Sequence, residues 1–176
     1  MARESKLTQL TMRAVVAAFF IFCAATVSAS VKVTVTSSQQ ANGVVYTYSV
    51  SNSGTDRIVA FHVGFDYLHG VPELRTAPVG WTPNDGIPSS SVSSPAGWSA
   101  TIVTLEESDA FDLEWTSDGS GAFDIAAHTT VSGFTIRVPS TTSEYLKASY
   151  DVVLGSGEHL YGQVEPANGR RRAVVH

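Results

Sequence analysis

Residues 46–54 read Tyr-Thr-Tyr-Ser-Val-Ser-Asn-Ser-Gly. Tyr46, Tyr48 and Val50 alternate with Thr47, Ser49 and Ser51. A period of two places the apolar side chains on one face of a strand and the hydroxyls on the other. Asn52-Ser53-Gly54-Thr55-Asp56 then supplies residues that favour chain reversal. The stretch reads as a half-buried strand ended by a turn.

The same pattern recurs on both sides. Upstream, Val31, Val33 and Val35 alternate with Lys32, Thr34 and Thr36, and Asn42-Gly43 marks a reversal inside a loop expected to begin near Ser37. Downstream, alternation returns at Phe61-Val63-Phe65, Phe111-Leu113-Trp115, Phe134-Ile136-Val138 and Leu146-Ala148-Tyr150-Val152. Asp118-Gly119-Ser120-Gly121 and Gly155-Ser156-Gly157 supply further turns. With 100–105 and 159–165 there are eight candidate strands, and no stretch has helical periodicity. Evenly spaced strands with one wet face predict an all-β, antiparallel two-sheet β-sandwich, immunoglobulin-like, of about seven to nine strands. A closed barrel is the alternative.

Residues 71–97 interrupt the rhythm. They hold Pro72, Pro78, Pro83, Pro88 and Pro95, five of the seven prolines, and read as a long loop with one short edge strand. Within it Pro78-Val79-Gly80-Trp81-Thr82 is echoed by Pro95-Ala96-Gly97-Trp98-Ser99. Proline and glycine set a turn in each, after which the tryptophan can fold back. The plainer expectation is a pair of plugs over the end of the sandwich; the sharper one is an exposed aromatic platform.

The amino terminus has a different composition. Arg3, Lys6 and Arg13 precede a 14-residue apolar run at 14–27, and Ser28-Ala29-Ser30 follows. A basic head, a short greasy core and small residues predict a secretory signal peptide at 1–29, cleaved after Ala29. The run is short of the ~17–25 apolar residues that span a bilayer, so no stable membrane span is expected after cleavage. Phe22 stands where a lipoprotein signal would place a small residue before Cys23. The domains expected are the signal, a β-sandwich at 30–165 and a flexible tail at 166–176. No hydrophobic stretch follows Arg170-Arg171-Arg172, so no C-terminal sorting segment is expected. The location expected is secreted, periplasmic or cell-envelope.

After cleavage no cysteine remains, which excludes disulfides, thiolate catalysis and cysteine metal sites. Residues 30–176 carry eight basic against 15 acidic residues, a balance of −7. Nucleic acids and anionic lipid want a basic face, so neither is an expected partner.

The acidic run Glu106, Glu107, Asp109, Asp112, Glu114, Asp118 and Asp124 invites a search for calcium. Asp118, Ser120 and Asp124 could contribute oxygens, but a full EF-hand loop is missing. A solvated loop and strand face is the simpler account, with Asp112 and Glu114 on a strand's polar face. No cofactor is expected, calcium being the one candidate. His62, His69, His128, His159 and His176 lack metal-binding spacing and read as scattered surface and turn histidines. No Gly-x-Ser-x-Gly elbow or phosphate-cradling loop occurs. Paired carboxylates of the glycosidase kind arise by chance in any acidic sandwich.

Tyr46-x-Tyr48-x-Val50-x-Asn52-x-Gly54 resembles the second strand of extracellular bacterial sandwich domains, in which it ends in Asn-x-Gly. Val131-Ser-Gly-Phe134-Thr-Ile136, followed by Pro139, and the Pro-x-Gly-Trp at Pro78 are similar to the same secreted, mostly uncharacterised immunoglobulin-like proteins. The resemblance covers roughly 31–163 and implies fold and compartment; it brings no catalytic residue with it. The function expected is therefore a non-catalytic module for binding or surface assembly, with an unknown protein or glycan partner. The alternative is a carbohydrate-binding module using Trp81, Trp98 and Tyr67. A small hydrolase or calcium-dependent protein ranks third.

Overall fold

A computed structural model describes residues 30–83, 86–88, 90–105 and 109–167. The expected leader, Glu106, Glu107 and the tail from 168 onward lie outside the described residues. The strands are β1 (Val31–Gln40), β2 (Gly43–Asn52), β3 (Ile58–Val63), β4 (Phe65–Asp66), β5 (Val71–Pro72), β6 (Val92–Ser93), β7 (Trp98–Thr104), β8 (Phe111–Ser117), β9 (Thr129–Val138), β10 (Ser149–Leu154), β11 (His159–Gln163) and β12 (Glu165–Pro166). One 3₁₀ turn, Glu144–Leu146, precedes β10. Eight of these strands have five residues or more, and they fall where alternation predicts them.

The first sheet runs β12-β1-β2-β9-β6 and the second β11-β10-β3-β8-β7; β4 and β5 form a separate hairpin. All pairings are antiparallel except β1 with β12. Tyr48, Val50, Phe134 and Ile136 from the first sheet meet Phe61, Val63, Leu113, Trp115 and Val152 from the second, all fully buried. Rings cross the gap: Phe61 lies 5.4 Å and Trp115 5.7 Å from Phe134, centroid to centroid. Fully burying one such side chain contributes about 1.5–3 kcal/mol, so the apolar face of each strand drives the stacking. Tyr46 and Tyr48 are equally deep, and their hydroxyls donate to Thr142 O (2.8 Å) and Tyr145 O (3.1 Å), which satisfies a group that would otherwise be buried at a cost.

Two boundaries differ from expectation. β1 continues through Ser37 to Gln40, leaving a tight turn at Ala41 and Asn42 where a longer loop was expected. Its last five residues are exposed and have no apolar face, so the ladder with β2 holds them. At the other end Pro166 pairs with Val35, and Ala167 N–H donates to Val35 O at 2.8 Å, so the chain remains held beyond 165.

The two Pro-x-Gly-Trp segments fold alike. Trp81 N–H donates to Pro78 O and Trp98 N–H to Pro95 O, both at 3.1 Å. Gly80 and Gly97 have φ of +78° and +74°. A positive φ at the third position defines a turn that glycine enters without strain.

Candidate binding surface

The outward face of the second sheet carries the unusual chemistry. Strand register sets Tyr161 (β11), Asp151 (β10), His62 (β3), Glu114 (β8) and Thr101 (β7) in one row across it. Alternation puts these residues opposite the core, where side chains are normally wet. Yet Asp112 and Asp151 are each only 1% exposed. His62 Nδ1 lies 3.2 Å from Asp112 Oδ2, and His62 Nε2 lies 3.8 Å from Glu114 Oε1. His159 Nδ1 lies 2.8 Å from Asp151 Oδ2. The other carboxylate oxygens, Asp112 Oδ1 and Asp151 Oδ1, are buried without a hydrogen-bond partner among the described residues.

The hairpin of β4 and β5 folds back over this row. Gly64, between β3 and β4, turns the chain, and Phe65 comes to lie 5.9 Å from the His62 ring. Beyond it Tyr67 stacks on both His159 (4.9 Å, 27°) and Tyr161 (5.0 Å, 18°). Asp66 fastens the hairpin: its carboxylate accepts from the N–H groups of Leu68 and His69 and lies 2.6 Å from His69 Nδ1. Between the hairpin and β10–β11 is a hollow of about 360 Å³, lined among others by Tyr67, Leu68, Tyr161, Ser149 and Gln163. That volume falls in the ~300–1,000 Å³ range of small-ligand sites.

Electrostatics separates the buried row from the rim. Burial raises the pKa of Asp112, opposed by its hydrogen bond to His62, and burial likewise raises that of Asp151 against the pull of His159 and His62. For His62, burial alone would favour the neutral ring; the hydrogen bond to Asp112 and the charges of Glu114, Asp112 and Asp151 outweigh it and raise its pKa. Asp66, on the rim, is lowered, chiefly by its hydrogen bond to His69. Neither His62 nor His159 is hydrogen-bonded to a hydroxyl among the described residues, so each ring is coupled to a carboxylate but to no nucleophile. No group of three or more His, Cys, Asp or Glu among the described residues is placed to hold a metal ion.

The sequence-predicted residues do not converge. Trp98 is 7% exposed; its indole N–H donates to Phe123 O at 2.8 Å and its ring meets Phe134 edge-on at 5.1 Å. Trp81 is half-buried, 5.2 Å from Phe111, beside β7. Tyr67 is exposed at the β11 side, the opposite edge of the same sheet. Neighbouring strands are ~4.8 Å apart, so no single small ligand touches all three. Asp118 Oδ1 accepts from the N–H and hydroxyl of Ser120 in a local turn. Asp124 accepts from Ser117 Oγ at 2.6 Å and lies 3.3 Å from Arg57 Nε, so its charge is already matched.

Sequence reasoning placed Asp112 on a solvated face and the histidines at scattered surface positions. His69 and His128 are exposed turn residues, as expected, and His176 lies outside the described residues; the structure corrects the reading for Asp112, His62 and His159. Asp112 is buried, and His62 and His159 are joined to buried aspartates. The available signal was charged residues at the polar positions of β3, β8 and β10, but these neighbours are not consecutive in sequence. No helix among the described residues is long and apolar enough to cross a membrane.

No family model matches the chain, and no curated protein does so. Solved structures are similar in fold. An uncharacterised protein from Nocardia farcinica, described as having an immunoglobulin-like fold, aligns with a TM-score of 0.50 and 16% identity over 74% of this chain and 82% of its own. The exo-β-N-acetylglucosaminidase of Vibrio harveyi aligns with a TM-score of 0.41 and 14% identity over 78% of this chain and 18% of that enzyme. The chain is thus an immunoglobulin-like β-sandwich, as its periodicity predicts.

Proposed function

We propose that this chain is an exported, non-catalytic β-sandwich module that binds a partner through the surface around the β4–β5 hairpin. One observation carries the reading. Of the six large apolar side chains exposed among the described residues, four (Tyr67, Leu68, Val71 and Tyr161) gather at this hairpin and the strand beneath it. Scattered exposed apolar residues need no explanation, but a contiguous patch beside a hollow marks an interaction site. The expected leader supports export, and the pairing of His62 and His159 with buried aspartates supports a structural rather than catalytic use of those groups.

A saccharide is the second reading, favoured by the make-up of the hollow. Tyr67 and Tyr161 offer ring faces, while Gln163 and Ser149 offer uncharged hydrogen-bonding groups. The test is a glycan and extracellular-protein binding panel on the wild-type protein, Tyr161→Ala and Leu68→Ser. A ligand lost in both variants, with unchanged circular dichroism, supports the surface. Ligands retained by both variants, or none found for the wild type, would overturn it.

A further inference from the structure

The β4–β5 hairpin is held to the sheet beneath it in an unusual way. Its two strands pair only with each other. Hydrogen bonds to the sheet occur at its base, where Gly64 N–H donates to Ser149 O at 2.8 Å, the Glu73 carboxylate accepts from Ser149 N–H, and Leu74 bridges to Phe111. Among the described residues no hydrogen bond joins 65–72 to the sheet. Ring contacts take their place: Phe65 lies on His62, and Tyr67 lies on His159 and Tyr161. The fixed charges around these rings have one sign. β8 brings Asp112 and Glu114, β10 brings Asp151, the hairpin brings Asp66, and β7 adds only uncharged Thr101 and Val103. The lysine and arginine ion pairs among the described residues are Lys32–Glu165 and Arg57–Asp124. The cations paired with the four carboxylates are therefore all histidines, His62, His69 and His159. Histidine is the side chain whose charge ordinarily changes between pH 5 and 8.

We propose that this hairpin is a pH-responsive cover, fastened to the sheet when His62 and His159 are protonated and loosened when they are neutral. This rests on the reading of the hairpin as a binding surface and gives that surface its regulation. Two effects act in the same direction. An imidazolium within about 6 Å of an aromatic centroid is attracted by the quadrupole of the ring, and a neutral imidazole is not. Phe65 at 5.9 Å from His62 and Tyr67 at 4.9 Å from His159 therefore grip protonated rings more tightly. The second effect is the charge beneath. Asp112 and Asp151 are each 1% exposed, and Oδ1 of each lacks a partner among the described residues. Beside neutral histidines these carboxylates are buried without counter-charge, which costs free energy that lifting the hairpin into water relieves. Beside imidazolium at 3.2 and 2.8 Å they are matched in place. Burial works against a charged His62, but the hydrogen bond to Asp112 and the charges of Glu114, Asp112 and Asp151 outweigh it and raise its pKa. Tyr67, Leu68 and Val71 ride on the hairpin while Tyr161 belongs to β11, so the apolar patch is continuous only when the hairpin is down.

Amide hydrogen exchange of the full chain, followed by NMR, tests this without any ligand. The reporters are Gly64 N–H, bonded to Ser149 O, and Glu73 N–H, bonded to Gly64 O. After correction for the intrinsic pH dependence of exchange, their protection falls about tenfold between about pH 5.5 and 8, the combined weight of two cation–π contacts. The fall is insensitive to dilute urea, which marks local opening rather than global unfolding. His159→Gln, at a half-exposed position, makes the fall smaller, and His62→Gln combined with it removes the fall. Protection that is flat in the wild type, a fall that tracks global unfolding in urea, or a fall that survives in the double variant overturns the proposal. Should the double variant not fold, an undiminished fall in His159→Gln overturns it instead. A ligand bound through Leu68 and Tyr161 while hairpin protection stays flat leaves the binding reading standing without its regulation. A pH-dependent hairpin for which no ligand is found does the reverse, so the two readings fail separately.

Discussion

Replacing Gly80 and Gly97 by alanine, one at a time, turns the duplicated Pro-x-Gly-Trp turn into a controlled comparison. Both glycines have nearly the same positive φ, so both variants carry the same backbone strain, about 1–2 kcal/mol. Alanine also restricts the unfolded chain, which returns about 0.4–1 kcal/mol. At Gly80 a new Cβ would meet nothing within 4 Å, so the net cost is about 1 kcal/mol. At Gly97 the Cβ would stand 2.0 Å from Cγ of the Phe123 ring, which must move. Phe123 is 43% exposed and can swing outward, but its carbonyl accepts the Trp98 indole N–H. Overpacking at about 1–3 kcal/mol and a weakened hydrogen bond at about 1 kcal/mol, added to the shared backbone cost, bring Gly97→Ala to about 3–5 kcal/mol. Urea denaturation followed by tryptophan fluorescence reads the difference. With a slope of about 2 kcal/mol per molar urea, the Gly97→Ala midpoint lies about 1–2 M below that of Gly80→Ala. Coincident midpoints, or a more damaging change at Gly80, would refute the packing of Phe123 over this turn.

Further outcomes follow from the sheet. His62, Asp112 and Asp151 all have raised pKa values in the fold, so the folded chain binds protons more readily than the unfolded one, and stability rises as pH falls from 8 to 5. The His62 contribution is complete below about 6.5 and is lost as pH climbs through its raised value; the aspartates add theirs on acidification, until the lowered Asp56, Asp66 and Asp118 oppose it below about 4. Thermal melts across that range check the sign, and a melting temperature that falls between pH 8 and 5 contradicts it. Asp112→Asn flattens the same profile, because it removes one shifted group and the hydrogen-bond partner that lifts His62; an unchanged slope would show the pair to be uncoupled. Tyr46→Phe costs about 1–3 kcal/mol in urea denaturation, because its hydroxyl both donates to Thr142 O and accepts Thr142 N–H. Millimolar calcium leaves the melting temperature unchanged, since Asp124 is engaged by Arg57 and Ser117; a rise of several degrees would place an ion there after all.

The strands were legible because one face of each is apolar. Val33, Val35, Phe61, Leu113, Trp115 and Val152 all point where a period of two puts them. Legibility failed where that contrast ends. Residues 36–40 are polar on both faces, so nothing in the pattern says that they continue β1; the partner strand decides. The binding surface was harder to see. Tyr67 was identifiable as an aromatic without a core position, but its stacking on Tyr161 and His159 depends on a hairpin that Gly64 and Asp66 bend back over the sheet. The burial of Asp112 and Asp151 depends on that same fold-back and on the adjacency of β10, β3 and β8, neither of which a linear pattern encodes.

The two outward faces differ enough to say which one works. On the first sheet, Ser49 with Ser132, Ser51 with Thr130 and Ser93 with Thr135 form short cross-strand hydroxyl pairs of 2.6–2.8 Å, all exposed. Such pairs support a ladder and are content in water; among the described residues no large apolar side chain from this face is exposed. The second sheet spends stability instead. It buries two carboxylates, each with one oxygen lacking a partner among the described residues, covers them with a hairpin, and leaves Tyr67, Leu68, Val71 and Tyr161 on the outside. Burying charge costs free energy even when paired, and exposing apolar surface forgoes it. A sandwich selected for stability alone would place neither on a face where serine and threonine suffice. Both costs fall on one sheet, and a surface that gives up stability in two ways is where interaction with another molecule returns it.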